Sequence, residues 1–132
     1  MALNAMGIFL LFGSIMSATA GFTLTFPGSP LDALWALNPV AYRQMLPLRK
    51  IVGIPMLGVS TALLCAAIGW FRRRRWGWIL AVLIIASQVA GDAANIFLGR
   101  FQEGVIGATI ASFLLWWLCR KPVRTAFNRA SN

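Results

Sequence analysis

The sequence predicts an all-α integral membrane protein, a four-transmembrane-helix bundle with two short interfacial helices between spans 1 and 2. Of the 132 residues, 59% are hydrophobic and 11% are charged, and the mean hydropathy of +0.75 lies above the range of soluble domains. The apolar residues form long continuous runs, whereas barrel strands alternate between apolar and polar residues. Asp92 is the one charged residue within these runs. A membrane, and not a buried core, is therefore the main solvent of this chain.

The apolar runs place four spans in a single membrane domain, 1–132. The spans are about 4–25, 51–71, 76–98 and 104–119. Crossing about 30 Å of hydrocarbon takes roughly 20 helical residues at 1.5 Å each. The last span is the shortest, and we expect it to extend a turn into the basic cytoplasmic tail, 120–132, where Arg120 and Lys121 can reach the headgroups.

The first span has a second interpretation as a secretory signal. Ala18-Thr19-Ala20 fits the small-x-small pattern of a cleavage site. A secretory signal also carries basic residues before its apolar part, and no Lys or Arg precedes this run. A retained membrane span is therefore the favoured interpretation.

The positions of the basic residues predict the orientation of the bundle. Four consecutive arginines, 72–75, connect spans 2 and 3, and four further basic residues follow span 4. Cytoplasmic loops are enriched in Lys and Arg, so both termini are expected in the cytoplasm. Tryptophans prefer the headgroup level. The predicted interface aromatics are Trp35, Trp70, Trp76, Trp78, Trp116 and Trp117.

The cytoplasmic cations predict contact with lipids. Consecutive arginines cannot share one face of a span as the arginines of a voltage sensor do, and no nucleic-acid contact is expected. Anionic headgroups are the expected partners, at about 1 kcal/mol for each basic residue near the surface. The net charge of +9 therefore reflects orientation. The predicted headgroup anchors are Arg72, Arg73, Arg74, Arg75, Arg120, Lys121 and Arg124.

The outer amphipathic loop, 26–50, contains two helix starts. In "SPLD", Ser29 can cap, Pro30 suits the first helical position and Asp32 favours the positive end of the helix dipole. A second start follows at Asn38-Pro39, and Pro47 ends that helix. The loop is interpreted as a cap that closes the bundle, with a lid or a docking surface for a partner as the alternatives.

Four segments carry a resemblance to a known group of proteins. They are "LDALWALNP", "RRRRWGW", "GDAANIFLGR" and "KPVRTAF". Together they resemble a group of short four-span bacterial inner-membrane proteins of no assigned function. The resemblance covers most of the chain from about residue 29 onward, and it implies an architecture and a location without any catalytic residue.

The third span contains the candidate site, a stripe of polar residues. Gln88, Asp92 and Asn95 are spaced i, i+4 and i+7, which places them on one helix face. Polar residues in a span face the bundle interior or a water-filled cavity. The hydroxyls and cations that could bond this intramembrane polar site are Ser17, Thr19, Ser60, Thr61, Thr109, Ser112, Arg49, Lys50 and Arg100.

The partner of Asp92 decides its role. A neighbouring cation would keep the carboxylate ionised as an architectural clamp, whereas hydroxyls and amides in a dry bundle would favour the neutral acid, which can bind and release a proton. Three interpretations stay open: a structural clamp, a substrate, ion or proton site, and a contact to a neighbouring subunit. The other acidic residues are Asp32, explained as a helix start, and Glu103, expected in solvent.

The residue inventory predicts neither an enzyme nor a cofactor or metal site. The chain has no histidine, which excludes imidazole-ligated haem and the usual zinc sites. Cys65 and Cys119 form no Cys-x-x-Cys pattern. The expected function is that of a small structural or accessory membrane protein, packed in a larger membrane complex or a homo-oligomer. The alternative is a small oligomeric transporter or channel whose path the Asp92 stripe lines.

Overall fold

The computed structural model describes residues 1–129, except for the side chain of Glu103. The described chain is 89% helix and contains no strand. The predicted position of Glu103 in solvent, and residues 130–132 of the predicted tail, lie outside the described residues. The six α-helices are α1 (Ala2–Thr25), α2 (Pro39–Met45), α3 (Arg49–Phe71), α4 (Arg75–Phe97), α5 (Phe101–Leu118) and α6 (Lys121–Arg129).

Three helices are long and apolar enough to cross a membrane. They are α1, the segment Pro39–Phe71 that includes α3, and α4. The apolar part of α5, Gly104–Leu118, is shorter. The long helices begin and end within two residues of the predicted spans. Their continuous apolar runs explain this agreement, because runs of about this length and composition are typical of single helices that can cross a membrane.

The fourth predicted span does not extend into the tail. Helix α5 ends at Leu118, the chain turns at Cys119 and Arg120, and α6 begins at Lys121. Pro122 explains this correction, because proline lacks the N–H that would continue α5 but suits the first turn of a new helix.

One compact unit comprises residues 8–64. In it, small residues join α1 and α3 in antiparallel. Ser14 Oγ donates to Ser60 O at 2.9 Å, and Ser60 Oγ donates to Ser14 O at the same distance. Farther along, Gly21 and Gly53 bring the two backbones together, since a Cβ at Gly21 would lie 2.9 Å from Gly53 O. Close approach of this kind is how helices associate where lipid removes the hydrophobic driving force.

The loop of this unit contains the two predicted short helices. The first, Pro30–Leu37, is a 3₁₀ helix, and the second is α2. Ser29 occupies the N-cap position but makes no capping hydrogen bond, which corrects its predicted role. Asp32 instead accepts from Gly28 N–H at 2.6 Å. Asn38 caps α2 by accepting from Ala41 N–H at 3.1 Å.

The other unit comprises Met1–Gly7 and the chain from Cys65 onward. Helices α4 and α5 form an antiparallel hairpin, and α6 packs on both. Gly99 makes the sharp turn possible: its φ of +87° lies in the left-handed region, and Arg100 N–H then closes the end of α4 by donating to Asn95 O at 2.9 Å. This hairpin positions the predicted polar stripe.

Candidate functional site

Asp92 lies at the contact between α4 and α5. Its residue surface is only 6% exposed. Gln88, one turn earlier on α4, donates from Nε2 to both carboxylate oxygens, at 3.3 Å each. The i, i+4 spacing thus produces a hydrogen-bonded pair on one helix. The partner of the acid is an amide of its own helix.

Helix α5 covers the carboxylate with a glycine. A Cβ placed on Gly107 would lie 2.6 Å from Asp92 Oδ2, closer than side-chain carbons approach one another. One turn away, a Cβ on Gly104 would lie 2.8 Å from the main-chain oxygen of Asp92. The two glycines let the α5 backbone lie directly against Asp92, so the carboxylate fills the space between two helices.

The remainder of the stripe is accessible. Gln88 is exposed, Asn95 is half-buried, and Gly91 between them is exposed with no atom within 4 Å of an added Cβ. These three residues are spaced i, i+3 and i+7 and form one edge of α4, which we call the polar edge. The polar edge is therefore the accessible side of the site, whereas Asp92 is buried.

The hydroxyls that the sequence offered to Asp92 bond main-chain carbonyls instead. Ser17 donates to Met56 O, and Ser60 to Ser14 O, at 2.8 and 2.9 Å. Hydroxyls within a helix readily bond the carbonyl one turn back, which leaves their protons engaged. Among the suggested partners of Asp92, three hydroxyls make this bond: Thr19, Thr61 and Thr109.

Within the unit that contains Asp92, the other suggested partners do not hydrogen-bond its carboxylate. Ser112 and Arg100 are exposed. Within the described residues of that unit, Gln88 is the hydrogen-bond partner of Asp92. In the other unit, Arg49 is half-buried and Lys50 is exposed.

At the other end of α4, Trp70 is buried and does not lie at an interface as predicted. It is 1% exposed, its indole N–H donates to Leu3 O, and its ring centroid lies 4.5 Å from that of Phe127 on α6. A buried indole of this kind combines apolar packing with one satisfied donor. It anchors the N-terminal residues and α6 to the end of α3.

The other predicted interface aromatics are at least partly accessible. Trp76 and Trp116 are 46% and 54% exposed. Trp78 is half-buried and donates to Leu118 O at 3.1 Å, and Trp117 is half-buried. Trp35 in the loop is half-buried and donates to Thr23 Oγ1 at 2.8 Å.

Arg73 differs from the other predicted lipid anchors because its side chain turns inward. Its Nη2 donates to Asn4 Oδ1 at 3.2 Å, and its guanidinium carbon lies 5.8 Å from the centre of the Phe127 ring. Nη1 is buried without a hydrogen-bond partner among the described residues. The remaining anchors are exposed: Arg72, Arg74, Arg75, Arg120, Lys121 and Arg124.

Helix α6 is a feature that the sequence interpretation missed. Val123 and Phe127 are buried, while the basic residues of the helix stay exposed. The i, i+4 spacing of two apolar residues behind Pro122 was the available signal. The surrounding cations favoured a solvated tail, and the docking partner Trp70 lies far away in the sequence.

The described residues offer no metal site and no thiol pair. No group of three His, Cys, Asp or Glu residues among them could hold a metal ion. Cys65 and Cys119 are both free and exposed. Within these residues, the polar contacts of the site are the hydrogen bonds that Gln88 donates to Asp92 along α4.

The chain matches no protein-family model, no curated protein and no solved structure. The resemblance to short four-span bacterial proteins stays a prediction.

Proposed function

We propose that the chain is a small accessory subunit of the bacterial inner membrane, which crosses the membrane four times and packs through the polar edge of α4 against a helix of a larger membrane complex. The observation that carries the proposal is the polar edge: the accessible amides of Gln88 and Asn95 flank the open Gly91, beside the buried Asp92. Asp92 is 6% exposed, its carboxylate accepts from Gln88 on the same helix, and it lies against Gly107 of α5. Asp92 is therefore enclosed by its own chain, and the amides of the polar edge face outward.

The same contacts weigh against the transport alternative. A carboxylate that binds and releases a substrate must face a path that water or an ion can enter. Asp92 instead faces the α5 backbone at a spacing that leaves no room for a methyl group. We therefore assign Asp92 the role of a structural clamp.

The polar edge supports a protein partner. At 1.5 Å per residue, Gln88 lies about 20 Å from the Arg75 end of α4 and about 14 Å from the Phe97 end, within the hydrocarbon of a spanning helix. Amides that are accessible at that depth are costly in lipid and are compensated by hydrogen bonds from another helix. Gly91, between the two amides, has the open space that lets a second backbone approach.

Four crossings require α5 to span as well. Its 18 residues are about 27 Å long at 1.5 Å each, and local thinning or snorkelling accommodates a shortfall of a few Å. Arg120 already reaches back over Trp116, with its guanidinium carbon 4.0 Å from the ring centre. This contact is typical of a helix end at the headgroup level.

The proposal predicts recovery of a stoichiometric larger partner after purification in a mild detergent. Gly91→Leu combined with Asn95→Leu fills the open space of the polar edge, removes one of its amides and keeps the bond between Gln88 and Asp92, so it should release that partner. Each interhelical hydrogen bond contributes about 0.6 to 1.7 kcal/mol in a membrane. The matched control is Leu83→Ala, which changes an exposed residue of the same helix away from the edge.

Recovery of the doubly substituted protein with its partner would contradict the proposal. A symmetric oligomer of this chain alone, together with flux that Asp92→Asn abolishes, would favour transport instead.

A further inference from the structure

We propose that the arginine turn between α3 and α4 and the C-terminal helix α6 form one binding site for a phospholipid headgroup that carries two phosphates. The inference rests on the proposed orientation, which places this end of the unit at the cytoplasmic leaflet. Contacts between the arginine turn and α6 hold these two elements side by side. Their cations can therefore bind one headgroup together, and do not only anchor the chain one by one.

Arg73 is the first indication of a ligand. Its φ of +52° lies in the left-handed region, at the position after α3 where helices ordinarily place glycine. Arg74 N–H closes the turn by donating to Gly69 O at 2.9 Å. A side chain at such a position strains the backbone. Glycine would remove that strain, whereas arginine brings a guanidinium to this position, which donates to Asn4 Oδ1.

The guanidinium of Arg73 is also incompletely bonded. Nη2 has Asn4 as its acceptor, but Nη1 is buried without a partner in the described chain. A buried charged donor without an acceptor is costly, so the guanidinium gains by turning toward the surface when an anionic oxygen lies beside the turn. Phosphate oxygens match the planar donor fork of arginine.

Helix α6 brings a second group of cations to the turn. A nine-residue helix is not stable alone, so α6 depends on the burial of Val123 and Phe127. Phe127 contacts both Trp70 and Arg73, which fixes α6 beside the arginine turn. Lys121 and Arg124 are exposed, and Arg124 precedes Phe127 by three residues, so it lies on the neighbouring side of α6.

The charge balance favours a headgroup with two phosphates. The turn contributes Arg72, Arg74 and Arg75 to the surface, and the sequence has no Asp or Glu from Cys65 to Gly91 or after Glu103. These cations therefore lack acidic neighbours on their own elements. Two basic groups on two adjacent elements match two phosphates joined by one headgroup, whereas a lipid with one phosphate engages one group at a time.

The experiment compares the affinity of the purified protein for two anionic lipids, one with two phosphatidyl groups and the other phosphatidylglycerol. Each nanodisc preparation contains one or the other of these lipids, and the ratio of the two affinities is the preference. Arg74→Gln should reduce the preference about five-fold. The matched control Arg43→Gln removes one exposed cation from α2 and should leave the preference unchanged.

Two further variants test the arrangement of the site and not its charge. Phe127→Ala keeps every cation but undocks α6, and the loss of both Lys121 and Arg124 should reduce the preference about 25-fold. Phe113→Ala, at an exposed residue of α5, is its control. Arg73→Gly relieves the strained backbone, so it should keep the fold and still lower the preference.

Several results would overturn the inference. An unchanged preference in Arg74→Gln and Arg73→Gly, or equal losses in Arg43→Gln, would leave only diffuse attraction between charges. Competition by free pyrophosphate as strong as by the lipid would identify a soluble anion as the ligand. The lipid assay contains no protein partner. A negative result in it therefore overturns the lipid site alone, and a failure to recover a partner overturns the proposed accessory role alone.

Discussion

At the scale of single residues, Asp92 is explained by two neighbours of different kinds. Gln88 supplies hydrogen bonds from one turn away, and Gly107 supplies space on the facing helix. The i, i+4 relation between Gln88 and Asp92 could be predicted from the sequence, because it depends only on helix geometry. The facing glycine could not, because it depends on how α4 and α5 are rotated against each other.

The clamp predicts that Asp92 tolerates asparagine but not leucine. Asparagine has the same shape and keeps an oxygen for Gln88, whereas leucine leaves the Gln88 amide unpaired and crowds Gly107. We expect Asp92→Leu to lower the free energy of unfolding by about 1 kcal/mol or more, measured by thermal unfolding in detergent. Equal damage from Asp92→Asn would mean that the charge, and not the hydrogen bond and the shape, holds the hairpin.

At the scale of elements, the long helices were predictable and the short ones only in part. Continuous apolar runs define α1, α3 and α4 within two residues, and proline defines the starts at Pro30 and Pro39. Helix α6 had a signal in the i, i+4 spacing of Val123 and Phe127, but its docking and the burial of Trp70 were not predictable, because both depend on the contact between Trp70 and Phe127. The surrounding basic residues, considered alone, are typical of a solvated tail and a headgroup belt.

The α4–α5 hairpin predicts opposite outcomes for two glycine substitutions. Gly107→Ala places a Cβ 2.6 Å from Asp92 Oδ2 and should destabilise the hairpin by about 1 to 3 kcal/mol. Gly91→Ala meets no atom within 4 Å and should be neutral or stabilise the helix by about 0.4 to 1 kcal/mol. Thermal unfolding of the two variants side by side tests the packing, and a Gly107→Ala protein as stable as Gly91→Ala would refute it.

At the scale of the whole molecule, the proposed topology places the basic turn and α6 on the cytoplasmic side of the membrane and the loop 26–50 on the outer side. The arrangement follows from where Lys and Arg occur, which the sequence states directly. Whether α5 crosses decides between three and four spans, and its apolar part, Gly104–Leu118, is shorter than the other candidates. Helix length alone does not answer that question, since flanking residues can compensate.

Labelling of single cysteines by a membrane-impermeant maleimide in intact cells tests this topology. In a background with Cys65→Ser and Cys119→Ser, the exposed positions Gln44 and Gln102, each changed to cysteine, should react from outside. Asn128→Cys on α6 should react only after the cells are opened. Reaction of positions 102 and 128 from the same side would show that α5 does not cross.

Cross-linking from the polar edge of α4 tests the central claim, that this edge contacts another protein. In the same cysteine-free background, Gly91→Cys in the native membranes should form a discrete adduct with one partner protein, since a side chain fits there without disturbing the hairpin. Leu83→Cys, exposed on another face of α4, should not form that adduct. The claim would be contradicted if Gly91→Cys formed no adduct with any protein, or if Leu83→Cys formed the same adduct.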